Sequence, residues 1–317
     1  MKRILCATDL SPRCEGAVHR AGMLAQQYEA QLALLHVLDP VLFLEQEQEH
    51  VIARLRSQAA PPLWPFEATP TIEVRTGPVA NVIRNVAEEA GAELIIMGAQ
   101  RRRAVGDAVV GTTVERVLRS SGPAVLLVNG DPLNTYRNVL LALDASPASA
   151  RAIQIAESLF LGDGARASVV HAYASPYEGM LAHAGVSDLA IARYSEHWRR
   201  EARAHIVALL GNVSADANRY DIVLDSAPPF ATITRAVERN NPDLVIVGTR
   251  GRGRLRRMLL GSVANRVLRE MQCDVLVVPA SDQGHALISD EARDRGPETR
   301  RRAVACRAGP FRSVGVT

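Results

Sequence analysis

Lysine is nearly absent from this sequence, since Lys2 is the single lysine among 37 basic residues. The net charge of the 317-residue chain is only +3, which is too small by itself to indicate a nucleic-acid-binding protein. The N-terminus has no apolar region of signal-peptide length, and no run approaches the length of a membrane span. We therefore expect a cytoplasmic protein with neither a membrane nor a nucleic-acid partner.

Patterns typical of disulfide scaffolds, metal sites and nucleophilic enzymes are missing too. The four cysteines form neither a CxxC pair nor a disulfide-like ladder. Cys6 and Cys273 lie in or beside predicted strands, so we expect them to be buried thiols. No GxSxG or HExxH motif is present. We expect no metal site and no catalytic residue.

What the sequence does contain is an internal repeat. Its first half recurs at a constant offset of 135, which relates Asp9 to Asp144, Pro12 to Pro147, and His36 to His171. Its second half recurs at an offset of 150, which relates Gly98 to Gly248 and Gly111 to Gly261. The change of offset implies about fifteen extra residues in the second copy. They fall within residues 178–210, where a long helical pattern begins at about residue 187.

Each copy alternates short apolar runs with helical patterns, which predicts β-α-β-α-β-α-β-α-β. The predicted strands are residues 4–8, 32–37, 71–75, 94–97 and 124–128, then 139–143, 168–173, 221–224, 244–247 and 274–278. Such strands are typical of parallel sheets with helices on both faces. We expect an α/β fold with two tandem, doubly wound, five-stranded sheets in the order 3-2-1-4-5. The predicted domains are residues 1–129 and 135–280, followed by a charged and mobile tail at residues 281–317.

A glycine-rich loop follows the fourth strand of the second copy. Its pattern is Gly248-x-x-Gly251, then nine residues, then Gly261-Ser262 at the start of a helix. Strand, glycine loop and helix N-terminus together suit phosphate binding, because backbone amides and the helix dipole attract anions. No lysine follows the last glycine, so the loop is not a Walker motif. Glycines are also common at the ends of strands and the starts of helices in loops that bind nothing. Spacing alone therefore leaves open both a phosphate-binding loop and an ordinary connecting loop.

Ligands of doubly wound sheets bind at the carboxyl ends of the strands. Asp9 and Asp144 end the first strands, which neighbour the fourth strands in this order. Aspartate and glycine loop therefore face one crevice. Asp144 has two interpretations of similar weight: a carboxylate that contacts a ligand, or a cap for the helix that begins near Pro147.

The motifs Asp144-Ala-Ser-Pro, Val169-Val-His-Ala and Gly248-Thr-Arg-Gly251 through Gly261-Ser262 resemble those of a tandem universal stress protein. The likeness spans roughly residues 1–280. It implies an adenine nucleotide α-hydrolase-like fold, a contact between the fifth strands of two units related by a pseudo-two-fold axis and, in one subclass, binding of ATP.

The resemblance also implies the site residues. In the second copy, Asp144 would contact the nucleoside and Ala172 would line the adenine. Val247 and Gly248 would flank the base and the ribose. The phosphates would be held by the remaining second-copy residues: Gly251, Gly261, Ser262 and Val263. The expected cofactor is ATP, with Mg²⁺ as a companion of its phosphates.

The first copy departs from the family pattern, because Arg101 stands where the second glycine should be. We expect a weaker first-domain site, or a decayed one, at these positions: Asp9, Val37, Gly98, Gly111 and Thr112. The second copy departs as well, since Ala227 replaces the counterpart of Gly77.

The resemblance predicts a nucleotide-binding regulator of stress responses that binds mainly in the second domain. The alternatives are a scaffold that binds no nucleotide and a slow ATP-hydrolysing enzyme. The partners would be an adenine nucleotide and an unidentified regulatory protein. Because the duplication already supplies an internal pseudo-dimer, we expect a monomer or a weak homodimer.

Overall fold

The computed structural model describes most of the repeated region of the chain. The described residues are 1–38, 45–60, 64, 66–67, 69–98, 113–118, 122–130, 134–160, 164–214, 216–249 and 260–279. The predicted tail at residues 281–317 lies outside this set. Among the described residues, no helix combines the length and the apolar character needed to cross a membrane.

All ten predicted strands are present, with ends displaced by no more than two residues. The first copy contributes β1 (Arg3–Ala7), β2 (Gln31–Leu38), β3 (Thr71–Thr76), β4 (Leu94–Gly98) and β5 (Ala124–Val128). The second copy contributes β6 (Asn138–Ala142), β7 (Arg166–Ala172), β8 (Tyr220–Asp225), β9 (Leu244–Gly248) and β10 (Asp274–Val278).

Helices connect the strands as the alternating pattern predicts. Those of the first copy are α1 (Pro12–Gln27), α2 (Glu45–Gln58), α3 (Val79–Glu89) and α4 (Thr113–Val117). Those of the second copy are α5 (Pro147–Leu159), α6 (Glu178–His183), α7 (Asp188–Val213), α8 (Pro229–Asn240) and α9 (Ser262–Glu270). The predicted insertion of the second copy contains α6 and the first part of the 26-residue α7.

The strands form one continuous sheet in the order β3-β2-β1-β4-β5-β10-β9-β6-β7-β8. Each half has the predicted order 3-2-1-4-5, and the strands within each half are parallel. The halves meet where β5 pairs antiparallel with β10, and Leu126 faces Leu276 in that register. These leucines are 150 positions apart, so they are counterparts in the repeat. The pseudo-two-fold axis therefore passes through this pair.

Successive strand residues point to opposite faces, which gives the sheet two apolar cores. In β1, Ile4 and Cys6 pack on the face that carries α1, α2, α5 and α7. Leu5 and Ala7 pack on the face that carries α3, α4, α8 and α9. Each core runs through both halves, and burying a leucine fully in it contributes roughly 1.5–3 kcal/mol. Covered faces leave the carboxyl edge of the strands as the place where loops can form a site.

Candidate functional site

Each half turns sharply after its first strand. An aspartate, Asp9 or Asp144, is followed by a residue with positive φ, which is 63° at Leu10 and 58° at Ala145. A non-glycine residue in this region is strained by roughly 1–3 kcal/mol, so neighbouring contacts must hold the turn. The aspartate provides one, because its Oδ1 accepts a hydrogen bond from the amide two residues later, at 2.9 Å in the first half and 3.1 Å in the second. The duplicated motif is thus the same turn twice.

Asp144 is held more firmly than this turn alone requires. Its Oδ1 also accepts a hydrogen bond from the Ser149 hydroxyl at 2.8 Å, and its amide donates to the Ser149 Oγ at 3.0 Å. The helix cap itself is Ser146, whose Oγ accepts the Ser149 amide. Asp144 therefore supports the turn before the helix and is not its N-cap. Its Oδ2 makes no hydrogen bond to the described part of the chain, so this oxygen can accept one from a ligand.

The first half has a thiol in place of the Ser149 hydroxyl. Cys14 is the counterpart of Ser149 at the offset of 135, and its thiol lies beside the carboxylate and the amide of Asp9. Burial raises the pKa of the Cys14 thiol. Partial burial would raise the pKa of Asp9, but hydrogen bonds from Ser11 and Cys14 outweigh it and keep that pKa below the ordinary value. Asp9 is therefore a carboxylate at neutral pH.

The duplicated histidines stabilise the same turn from the second strand. The Nδ1 of His36 lies 2.8 Å from the carbonyl oxygen of Thr8, and the Nδ1 of His171 lies 2.7 Å from that of Leu143. A carbonyl oxygen only accepts, so each imidazole carries its proton on Nδ1 in this contact. Each histidine thus ties the residue before the aspartate to the neighbouring strand, which explains why the pair recurs in the repeat.

The second-half glycine loop begins and ends at fixed points. Gly248 ends β9 beside Val278 of β10, and the buried Thr249 donates its amide to the Val278 carbonyl oxygen at 2.9 Å. The Gly261 amide donates to the Thr249 carbonyl oxygen at 2.8 Å, so the two ends of the loop are joined. Gly251 and the arginine-rich stretch between these ends lie outside the described residues.

The helix α9 begins at a glycine. Gly261 is the N-cap, no described side chain caps the helix, and no acidic residue lies in the first turn. Ser262 is exposed, and the Ser262 and Val263 amides belong to the first turn, whose N–H groups have no acceptor within the helix. Such a terminus attracts anions through its unpaired donors and its dipole.

Strand register brings the second-half site residues to one edge. Ala142 of β6 pairs with Val247 of β9 on one side and with Val170 of β7 on the other. Asp144 and Gly248 therefore leave the sheet side by side, and Ala172 ends the next strand. The predicted residues Asp144, Ala172, Val247, Gly248, Gly261, Ser262 and Val263 all lie at or next to this carboxyl edge.

The first-half positions that the structure describes are Asp9, Val37 and Gly98. A Cβ added to Gly98 would lie 2.9 Å from the Cys14 Sγ and 3.0 Å from the Arg13 carbonyl oxygen. Only glycine fits there, because α1 packs directly against the end of β4. Gly111, Thr112 and Arg101 lie outside the described residues.

The turn at Ala227 differs from the turn at Gly77, its counterpart in the repeat. Gly77 adopts a φ of 133° and donates its amide to the Leu38 carbonyl oxygen at 3.3 Å. Ala227 instead donates its amide to the Asp225 Oδ1 at 3.0 Å. The turns after the third strands therefore differ, because alanine rarely adopts the glycine conformation.

Sequence reasoning missed Ser149, Cys14 and the carbonyl contacts of the histidines. A signal for the first two was present, since each lies five residues after its aspartate, on the first helical turn. A side chain at that position faces back toward the preceding turn.

The sequence model of the universal stress protein family matches residues 1–129 and again 135–279. A universal stress protein of Mycolicibacterium smegmatis is 26% identical over 304 residues, which cover 87% of this chain and 96% of that protein. A Thermus aquaticus universal stress protein is 34% identical over 143 residues, which are 45% of this chain and 98% of that protein. A universal stress protein structure from Archaeoglobus fulgidus aligns with a TM-score of 0.62 at 19% identity, over 88% of this chain and 98% of that chain. The family pattern occurs twice along one continuous sheet, and the chain belongs to the universal stress protein family as a tandem of two family units.

Proposed function

We propose that this chain is a nucleotide-binding regulator of stress responses that binds ATP mainly in its second domain. The observation that carries the proposal is the Oδ2 of Asp144, which makes no hydrogen bond within the described residues. It lies beside the start of a glycine loop that ends at the N-terminus of α9. A carboxylate oxygen suits hydroxyl or amino donors, and helix amides suit phosphate oxygens. A nucleotide presents both kinds of group.

The nucleoside would lie along the ends of the first strands. Asp144 would accept hydrogen bonds from the sugar or from the exocyclic amine of the base. Ala172 and Val247 would provide an apolar wall for the adenine, and Gly248 would let the ribose approach the backbone. The anchored Oδ1 supports this assignment, because a pre-oriented acceptor loses little entropy on binding.

The phosphates would lie over the start of α9, where Gly261, Ser262 and Val263 offer amides and a hydroxyl. Gly251 would contribute from the loop. Among the described residues, no three His, Cys, Asp or Glu side chains are grouped for a metal ion. We propose that Mg²⁺ would enter with the phosphates of ATP.

The first domain would bind nucleotide weakly or serve the fold. The thiol of Cys14 lies beside Asp9, and its sulfur also lies against Gly98. In a nucleotide site, the ribose would need to approach the protein backbone at that glycine. Val37, Gly111 and Thr112 complete the positions of this weaker site. Arg101, in place of the second glycine, opposes backbone approach to a phosphate.

The decisive experiment measures nucleotide stoichiometry. The purified chain is denatured, released nucleotide is identified by mass spectrometry, and nucleotide-free protein is titrated with MgATP by calorimetry. We expect a stoichiometry near one. Gly261→Trp should abolish binding, since an indole would cover the first amides of α9. The matched variant Gly111→Trp changes the counterpart glycine and should leave the stoichiometry unchanged.

Other outcomes identify the alternatives. A stoichiometry near two, reduced by either variant, would contradict the preference for the second domain. Absence of binding would overturn the proposal in favour of a scaffold, while phosphate release at about 1 s⁻¹ or faster would indicate an enzyme. We expect at most slow hydrolysis, because the sequence has no Walker lysine.

Our proposal for the association state rests on the pairing of the two fifth strands within the chain. β5 and β10 pair with each other within the chain, so the edge used between separate units is already occupied. We propose a cytoplasmic monomer or weak homodimer that acts on an unidentified regulatory protein. Sedimentation velocity with and without MgATP tests the association state.

A further inference from the structure

Ser149 is buried, with 1% of its surface exposed, although it carries a hydroxyl. Its Oγ donates to the Asp144 Oδ1 at 2.8 Å and accepts the Asp144 amide at 3.0 Å. Its own amide donates to the Ser146 Oγ at 3.3 Å. A single hydroxyl thus contacts both ends of one aspartate, its backbone and its side chain.

These contacts determine which oxygen of Asp144 is available. The Ser146 amide and the Ser149 hydroxyl both reach Oδ1, which restricts rotation of the carboxylate. Hydrogen bonds to a carboxylate are about twice as strong as neutral ones, so the restriction is substantial. Oδ2 is left without a hydrogen bond to the described part of the chain.

The first half repeats this arrangement with sulfur. The Cys14 thiol lies beside the Asp9 carboxylate and the Asp9 amide, the groups that the Ser149 hydroxyl contacts in Asp144. A thiol is a weak donor and its sulfur a weak acceptor, so Cys14 holds its aspartate less firmly than Ser149 does. The two halves therefore share a turn and differ in the strength with which it is fixed.

We propose that Ser149 is a positioning residue of the second-domain site, which presents the Asp144 carboxylate to the nucleoside, and that its replacement by Cys14 weakens the first-domain site. This inference rests on the nucleotide binding proposed above. It gives a reason why the two halves would differ in nucleotide affinity, and this reason is independent of their glycine loops.

The test uses the full chain with Gly111→Trp, so that only the second-domain site is measured. Ser149→Ala removes the donor and the acceptor, and the dissociation constant for MgATP should rise about ten-fold or more. Ser149→Cys installs the first-half partner and should recover part of this loss, with a dissociation constant about three-fold above that of the parent. Calorimetry provides both constants.

A stability-matched control separates positioning from folding. Tyr220→Phe removes a hydrogen bond between the buried Tyr220 and Glu157 at the opposite edge of the sheet. It should lower the unfolding midpoint while the dissociation constant stays within about two-fold of the parent. If Tyr220→Phe loses as much affinity as Ser149→Ala, lowered stability alone explains the loss and the inference is overturned.

A second measurement needs no nucleotide. The Asp144 amide donates to the Ser149 Oγ, so its hydrogen exchange, followed by NMR, should accelerate in Ser149→Ala and less in Ser149→Cys. Unchanged exchange and unchanged affinity in Ser149→Ala would overturn this inference alone. Failure of the parent protein to bind MgATP would overturn the proposed function and this inference with it.

Discussion

Replacing Asp274 at the junction of the two halves removes a carboxylate that four groups contact. Its Oδ1 accepts the amides of Asn129 and Gly130 at 2.8 and 2.7 Å. Its Oδ2 accepts the Tyr136 hydroxyl at 2.5 Å and lies 3.4 Å from the Nε of Arg20. Asp274 and Arg20 are 1% and 3% exposed, so their charges are compensated inside the protein. This cluster joins α1, the end of β5, the segment just before β6, and β10.

The expected loss of stability follows from what the substitution leaves behind. Removing one partner of a buried ion pair costs about 3–5 kcal/mol, because the remaining charge stays buried. Each backbone amide left without an acceptor costs about 1–3 kcal/mol more, although these effects overlap. We expect Asp274→Ala to lose at least about 4 kcal/mol, a large part of the roughly 5–15 kcal/mol that stabilises a typical domain.

Milder variants keep the prediction measurable if Asp274→Ala does not fold. Asp274→Asn keeps an acceptor for the two amides but removes the negative charge that lies beside Arg20, so we expect a loss of about 3 kcal/mol. Tyr136→Phe removes one hydrogen bond to a charged acceptor, at a cost of about 1.5–3 kcal/mol. Burial and the neighbouring Asp274 raise the pKa of Tyr136 well above its ordinary value, so its hydroxyl stays protonated and donates at all physiological pH values.

Urea unfolding measures these losses. The chain has two tryptophans, Trp64 in the first half and Trp198 in α7 of the second half. In a Trp198→Phe background, tryptophan fluorescence reports unfolding of the first half. Circular dichroism reports unfolding of the whole chain. The control is Glu270→Ala, which breaks the exposed ion pair with Arg266 and should cost under about 0.5 kcal/mol. If Asp274→Asn loses less than about 1 kcal/mol, the reasoning from buried charge is wrong.

Two further predictions concern the turns after the first strands. Ala145→Gly should raise the free energy of unfolding by up to about 1 kcal/mol, because glycine adopts the positive φ without strain. Leu10→Gly relieves the same strain but removes a buried side chain, so it should lower the free energy of unfolding by about 2–4 kcal/mol. If urea unfolding ranks the two variants in the opposite order, the assignment of backbone strain to Ala145 is wrong. Asp9, whose pKa is depressed in the folded chain, should stabilise the fold above about pH 4 and lose that contribution as the pH falls through its folded pKa. Asp9→Asn should flatten the pH dependence of the unfolding midpoint in this acidic range, and an unchanged slope would show that Asp9 titrates as in the unfolded chain.

Much of the architecture was predictable because it depends on periodicity. Apolar runs such as residues 124–128 and 274–278 have the length and branching of buried strands, and the structure has strands at those positions. The constant offsets revealed the duplication, and the order 3-2-1-4-5 then placed Asp144 next to Gly248. These features are local or repeated, so they need no knowledge of side-chain packing.

Other features were beyond such reasoning. The contact of Ser149 with Asp144 spans five residues, but it depends on the left-handed conformation of Ala145, for which alanine carries no sequence signal. The ion pair between Arg269 of α9 and Glu115 of α4 spans 154 positions and joins the two halves on one face of the sheet. The counterpart of Arg269 is also an arginine, Arg119, but the counterpart of Glu115 is Asn265, so the duplication could not indicate this pair.

The sequence by itself determined the strands, the duplication and the sheet edge at which the predicted site residues lie, because hydrophobic periodicity and repeat offsets are properties of the chain order. Only the tertiary structure decided which oxygen of Asp144 stays available and which side chains join the halves. The first outcome depends on the left-handed turn at Ala145, which carries no sequence signal. The second depends on groups far apart in the chain, such as Arg20 and Asp274, which meet only once the sheet has assembled.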